Sequence, residues 1–398
     1  MNIVFLFVMS FSLFFFVGCV EAIDYQAETY ESAIVIDARI TNEEKQQIIL
    51  LSRVHRFGDE NPNPETSAAV QIIGGNTVYV FEEIEGGVYA SITPFKALPG
   101  VSYKLEITTN DGRLYVSSPT SLTTVAQIDN LYAERVTNDD GVNGMSIYID
   151  SSDPLGESKY YRYEYEETYK IIAPSWVPED LVLIDVNTCE LLLTTRSQEE
   201  RVCYKTEMST AINLMNTSSL TEDRVVKHPI RFINSNDFIL SHRYSILVRQ
   251  FIESEEAYTY FETLNDISSE GSIFSQNQPG FFRGNVFSEN DSSEKVVGFF
   301  SVSSVTSRRI YFNYEDFYPN EAIPSLPYNC VPRESQQYAP SGACGPLVTR
   351  LFFNRATYVY GASIDNTGVT RGPFFVVNRR CGDCTALGSN IVPNFWID

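Results

Sequence analysis

The sequence predicts an all-β fold: an N-terminal immunoglobulin-like β-sandwich, a second and larger β-sandwich-like domain with one short helix, and a disulfide-stapled C-terminal part. Three observations point there. Short apolar runs recur along the chain and are punctuated by Gly, Pro, Asn and Asp, as strands joined by tight turns require. Aromatic residues form 13% of the sequence, with 24 Tyr and 26 Phe, and such side chains suit a pleated, half-buried surface. Helical spacing of apolar residues appears in a stretch after Ser254. With 43% hydrophobic residues the chain can fill real cores, and its length suggests two or three domains.

Residues 1–18 read as an export signal. The run from Phe5 to Cys19, FLFVMSFSLFFFVGC, is too short to span a bilayer comfortably, and no stop-transfer pattern follows it. It ends at Gly18-Cys19 in the manner of a bacterial lipobox, with small Gly18 and modest Val17 suited to a peptidase pocket. Phe16 stands where Leu is usual, and Met1-Asn2-Ile3 supplies no Lys or Arg. Cleavage before Cys19 would leave its thiol to carry a lipid, with residues 19–24 as a tether. Each buried CH2 of an acyl chain contributes about 0.8 kcal/mol, so a multiply acylated cysteine is a firm anchor. The alternative is an ordinary secretory leader in which Cys19 is incidental.

Residues 25–124 read as the immunoglobulin-like sandwich. Ala33 to Ile36 and Gln47 to Ser52 are apolar runs suited to buried strands, and Asn61-Pro62-Asn63-Pro64 is a loop. Ala69 to Ile73, Gly74-Gly75-Asn76 and Thr77 to Phe81 give strand, turn, strand. Gly86-Gly87 leads into Val88 to Ser91, and Pro99-Gly100 precedes Ser102 to Ile107. In that last run Tyr103, Leu105 and Ile107 share one face while Lys104 and Glu106 share the other. Asn110-Asp111-Gly112-Arg113 closes a hairpin with Leu114 to Ser117. Short strands at this spacing are the mark of a sandwich.

Residues 128–315 read as the second β domain, with a helix near 254–265. Met145 to Ile149 is a strand. The clearest periodicity is YYRYEYEETYK, Tyr160 to Lys170: Tyr161, Tyr163, Tyr165 and Tyr169 fall on one side, Arg162, Glu164, Glu166 and Lys170 on the other. Alternation this clean suits a half-buried sheet with a solvated charged face; an aromatic platform for sugars or peptides is the functional alternative. His242 to Arg249 is a further strand. Ser254 then caps a helix with Glu255 and Glu256 in its first turn, and Tyr258, Phe261 and Leu264 form its packing stripe. Val296 to Val302 and Arg308 to Tyr314 are later strands.

Residues 316–398 form a Pro- and Cys-rich extension expected to pack on the second domain. With Cys19 set aside for lipid, six cysteines remain: Cys189, Cys203, Cys330, Cys344, Cys381 and Cys384. An even set in an exported protein reads as disulfides. Proximity favours Cys189–Cys203, with Cys330–Cys344 and Cys381–Cys384 as the simplest remainder. Cys381-Gly382-Asp383-Cys384 could in principle be a redox or zinc motif. It lacks the strand-and-helix context of the first and a second close ligand pair for the second, so a structural disulfide is the expectation.

The formal charge is −22, with 51 acidic residues against 29 Lys and Arg. Phosphate repels such a chain, so no nucleic acid is expected as a partner, and adhesion to an anionic leaflet must come from lipid. His55, His228 and His242 form no ligand pair, and no nucleophile elbow, zinc-protease helix or phosphate loop occurs. No cofactor, metal or catalytic residue is expected, and the identity of any small-molecule or glycan ligand stays open. Glycosidase carboxylates, whose separation is spatial, leave an exported hydrolase as a lesser alternative.

Several phrases in order resemble one known family. They are Ala33 to Asn42; Gly87-Val88-Tyr89; Gly100 to Leu105; Thr109 to Tyr115; Cys189 and Cys203; Gly284 to Ser288; Val297 to Phe300; and Cys381 to Cys384 with Pro393 to Trp396. Together they are similar to the Bacteroidota lipoprotein family called domain of unknown function 4249. The early acids Glu21 and Asp24 likewise resemble a surface-export signal, with an ordinary acidic tether as the alternative. The resemblance implies an outer-membrane lipoprotein, favoured at the cell surface, that accompanies a TonB-dependent β-barrel receptor, and it brings no catalytic residues. The expected function is therefore non-enzymatic: lipid attachment through Cys19 and partnership with such a receptor. A stand-alone glycan- or peptide-capture lipoprotein is the alternative.

Overall fold

The computed structural model describes residues 33–54, 63–269 and 283–398. The leader 1–18, Cys19 with the tether 19–24, and His55 lie outside the described residues.

Period-two burial builds the N-terminal part. In β1 (Ile34–Thr41) the residues Ile34, Ile36, Ala38 and Ile40 are buried on one face. β2 (Ile48–Arg53) buries Ile49 and Leu51 and exposes Ile48 and Leu50. The set continues with β3 (Asn63–Pro64), β4 (Ala69–Gly74), β5 (Thr77–Glu85), β6 (Val88–Ser91), β7 (Ser102–Thr108), β8 (Leu114–Ser117) and β9 (Thr120–Ser121). Hydrogen bonds run in the order β1-β2-β6-β5-β4-β7-β8. Gly112, at φ 83°, supplies the left-handed residue that turns β7 back into β8. Ile72, Tyr89, Leu105 and Tyr115 meet in one core with the buried residues of β1 and β2.

The chain continues through β10 (Gln127–Thr137), β11 (Asn143–Ser152), β12 (Tyr160–Ile172), β13 (Glu179–Asp185), β14 (Glu190–Thr195), β15 (Val202–Met208), β16 (Asn213–Asn216), β17 (Arg224–Asn234) and β18 (Arg243–Glu253). Helix α1 (Glu255–Ser269), β19 (Val286–Ser288) and the 18-residue β20 (Val296–Asn313) follow. Sheet β10-β11-β17 faces strands β15-β12-β18-β20. Leu131, Met145, Ile147 and Val225 from the first pack against Tyr161, Tyr169, Ile246 and Phe312 from the second. The Oγ of Ser254 accepts from the Ala257 N–H at 3.1 Å and caps α1. Phe261 and Leu264 join Ala257 and Tyr260 in a small cluster on Phe299.

The ladder does not break between the two sandwiches. β19 pairs with β8, so the N-terminal core also takes in Val286. β20 runs parallel to β1 over Val296–Ser303, then antiparallel to β18 over Ser304–Asn313. One strand thus belongs to both. Its close approach to β1 requires Gly298, at φ 154°, because a Cβ there would collide with the Ile36 carbonyl.

The charged face expected to be solvated on β12 is covered at its Arg162–Glu164 end, where Phe261 of α1 and Arg39 of β1 reach across it, while Glu166 and Lys170 stay partly exposed. Arg162 is 7% exposed, donates to Glu253 at 2.8 Å and Glu164 at 2.5 Å, and lies over the Phe251 and Phe261 rings. Arg39 reaches Glu164 at 2.8 Å, and the Ser303 hydroxyl donates to Glu253 at 2.5 Å. Burial would raise the Glu164 carboxyl, but Arg39 and Arg162 outweigh it and hold the group at about 2. Glu167 takes a core-side position among the tyrosines, where it accepts from the Tyr244 hydroxyl at 2.6 Å and pairs with Arg231 at 3.3 Å.

After α2 (Tyr314–Phe317) the rest of the chain forms a thin layer. It contains β21 (Arg333–Glu334), α3 (Pro346–Phe352), β22 (Ala356–Tyr360), β23 (Ser363–Ile364), β24 (Thr370–Arg371), β25 (Phe375–Asn378) and α4 (Arg379–Gly382). Sheet β21-β25-β22 packs on the β13–β14 hairpin around Leu181, Leu191, Leu347, Tyr358 and Phe374.

All six cysteines among the described residues are in disulfides, but none in the pairing that proximity favours. The bonds are Cys189–Cys344, Cys203–Cys384 and Cys330–Cys381. Cys189 sits at the tip of the β13–β14 hairpin, away from β15, so it meets the C-terminal layer rather than Cys203. Cys203 lies in β15 and faces the sandwich core, where Cys384 enters. Cys381 ends up against the loop that holds Cys330.

Candidate ligand-binding cavity

A cavity of about 660 Å3 lies where the second sandwich meets the C-terminal layer, within the size range of small-molecule sites. Three chain segments build it. The first is the end of β12, Lys170 to Ile172, running on through Ala173 and Pro174 to Trp176. Pro174 has no N–H for a ladder, so the strand ends there and the chain turns. The Ser175 N–H then donates to the Cys381 carbonyl at 2.9 Å.

The second segment precedes β18. A short 3-10 turn, Phe238–Leu240, is capped by the Asp237 side chain, which accepts from the Ile239 N–H at 3.2 Å. Phe238, Ser241 and His242 line the cavity, with Phe238 edge-on to Tyr169 at 5.8 Å. The third segment is Ile323 to Leu326 with Tyr328 and Cys330. Ser241 Oγ donates to the Pro324 carbonyl at 2.5 Å, and Cys330–Cys381 fixes the far end of the loop. Arg135 holds its near end, pairing with Glu321 at 2.6 Å and covering the Tyr318 ring. Arg201 completes the wall.

Most of this wall is apolar, and its cations are Lys170 and Arg201. Among the described residues no acid lines it. Lys170 is held by Asp398 at 2.9 Å. Burial, and then the Lys170 charge, push the His242 imidazole below its ordinary value, so the ring is neutral near pH 7. The buried indole N–H of Trp176 has no hydrogen-bond partner among the described residues.

Of the residues singled out from sequence, Lys170, His242 and Cys330 line the cavity and Tyr169 stands behind Phe238; the others fall elsewhere. Tyr161, Tyr163 and Tyr169 are at most 1% exposed, so no aromatic platform exists there. The Tyr161 hydroxyl donates to Asp223 at 3.0 Å and that of Tyr169 to Glu207 at 3.2 Å. Tyr165 is half-buried against the same core. Cys381 and Cys384 are fully buried in two different disulfides, which removes the redox and zinc readings of that motif. His228 contacts Asn213 at 2.7 Å. Among the described residues no group of three or more His, Cys, Asp or Glu could hold a metal. Trp176, Arg201 and the loop at 323–330 were not marked as a site by sequence. The one available signal was a Pro-rich stretch with a cysteine, which says that a loop is tied down but not what it covers.

No curated protein matches this chain. A family model does, over residues 20–309, which takes in the two sandwiches apart from the end of β20 and leaves the C-terminal layer outside. That match covers well over half of the sequence, and the chain belongs to the family described as a domain of unknown function (DUF4249).

Proposed function

We propose that this protein is a non-enzymatic lipoprotein of the Bacteroidota outer membrane, anchored through an acylated Cys19, that works by binding and partners a TonB-dependent receptor. The observation that carries the binding reading is the cavity at the edge of the second sandwich. It is preformed, because disulfides and backbone hydrogen bonds hold its walls, so little ordering is left for a ligand to drive. The lipobox-like Gly18-Cys19 supports the anchor, and the resemblance described above supports the receptor. Loops on a rigid β scaffold are well suited to docking against a barrel.

Affinity purification from membranes in mild detergent is the test. A tag placed on the C-terminal layer should recover a large β-barrel receptor in stoichiometric amount. Recovery of the lipoprotein alone would overturn the partnership.

A further inference from the structure

Resting on the binding reading above, we propose that the cavity takes an organic anion: an apolar body ending in a carboxylate. The wall selects for charge. The chain carries 51 acidic residues and 29 Lys and Arg, yet among the described residues the cavity has no acid on its wall and two cations, Lys170 and Arg201. An entering anion meets opposite charge, whereas an entering cation finds no wall group to pair with. Arg201 is exposed and makes no ion pair among the described residues, so its guanidinium fork is free to take a carboxylate.

One further feature points the same way. Lys170 already holds a carboxylate, that of Asp398, at 2.9 Å. The Asp398 side chain is 69% exposed, so that pair is weak and exchangeable. Asp398 therefore acts as an internal competitor that a ligand carboxylate displaces. The apolar remainder of the wall, including Ile172, Phe238 and Leu326, accommodates the body of the ligand.

The test uses the full-length protein in lipid nanodiscs, with empty nanodiscs as the blank. Three water-soluble probes of one shape are titrated by calorimetry: 4-phenylbutyrate, 4-phenylbutan-1-ol and 4-phenylbutylamine. The carboxylate is expected to bind at least ~10-fold more tightly than the alcohol, and the amine most weakly. The sequence has two tryptophans, Trp176 and Trp396, so an emission change that persists in Trp396→Phe places the probe at Trp176. Replacing Lys170 and Arg201 together by Gln should erase the preference for the carboxylate. Asp398→Asn, at an exposed side chain, should tighten carboxylate binding a few-fold. Equal affinity for alcohol and carboxylate, with Trp176 reporting both, would overturn the anion proposal and leave the binding reading standing. Binding of none of the three, or a preference that survives the double substitution, would overturn it as well. Failure of receptor capture would bear on the partnership alone.

Discussion

The N-terminal sandwich and the C-terminal layer are both fastened to the central sandwich, by opposite means. The N-terminal part shares a strand with it: β20 pairs along all of β1 and then passes into the central sheet. Beside that strand, Arg39, Glu164, Arg162 and Glu253 form a largely buried ionic bridge. No cysteine occurs between Cys19 and Cys189. The C-terminal layer has short strands, among them the two-residue β21, β23 and β24, and so few ladder bonds. There all six remaining cysteines are spent on three disulfides, two of them spanning 155 and 181 residues. Where a continuous ladder and an ample core are available, no covalent tie is used; where the core is small, cross-links replace it. The cavity lies on the covalently fastened side.

The largest effect is expected at the shared strand. Gly298→Val forces a side chain into the Ile36 carbonyl at a φ that L-residues rarely adopt, and should cost about 4 kcal/mol or more. Urea unfolding measures it, and the junction should become the first site of proteolysis while the disulfide-tied layer stays protected. A near-normal unfolding midpoint would break the contrast between the two regions.

Next comes the ionic bridge. Arg162→Met strands the buried Glu253 carboxylate and should cost about 3 kcal/mol, part of which Glu253→Gln in the same chain restores. Additive losses in the double variant would show that the two side chains are not coupled.

Acid separates the regions by pH window. Burial pushes His228, in the central sandwich, down to about 4. Above about pH 6.5 the ring is neutral in both folded and unfolded chains, and its stabilising contribution is fully present. As pH falls from there toward 4 the unfolded ring takes up a proton that the folded one refuses, and up to about 3 kcal/mol is lost. Glu164 at the junction is a depressed carboxyl, so its contribution is lost in a lower window, from its ordinary range down to about 2. Stability measured against pH should therefore fall in two stages, and His228→Gln should shrink the upper one, to which His242, also held below its ordinary value, contributes the rest.

Sequence carried the local structure well and the long-range structure poorly. The face shared by Tyr103, Leu105 and Ile107, the hairpin at Gly112 and the cap at Ser254 all depend on residues a few positions apart. The parallel β1–β20 pairing joins segments some 260 residues apart, as the 2.8 Å bond from the Val305 N–H to Asn42 illustrates, and no local pattern encodes it. That pairing is also why the charged side of β12 misled: alternation assigns residues to faces but does not say that a second element will cover the polar one. The disulfide pairing failed for the same reason, since adjacency in sequence placed Cys189 beside Cys203 while the hairpin carries Cys189 away. The cavity was illegible because its walls come from three segments and the separate Arg201, each ordinary alone.

The central claim is that a lipid-held body works at the envelope by contact. Intact-mass and peptide mass spectrometry of the protein purified from membranes tests it most directly. The account predicts a mature chain beginning at Cys19 with that residue acylated. A chain that begins elsewhere, or an unmodified Cys19, would contradict it.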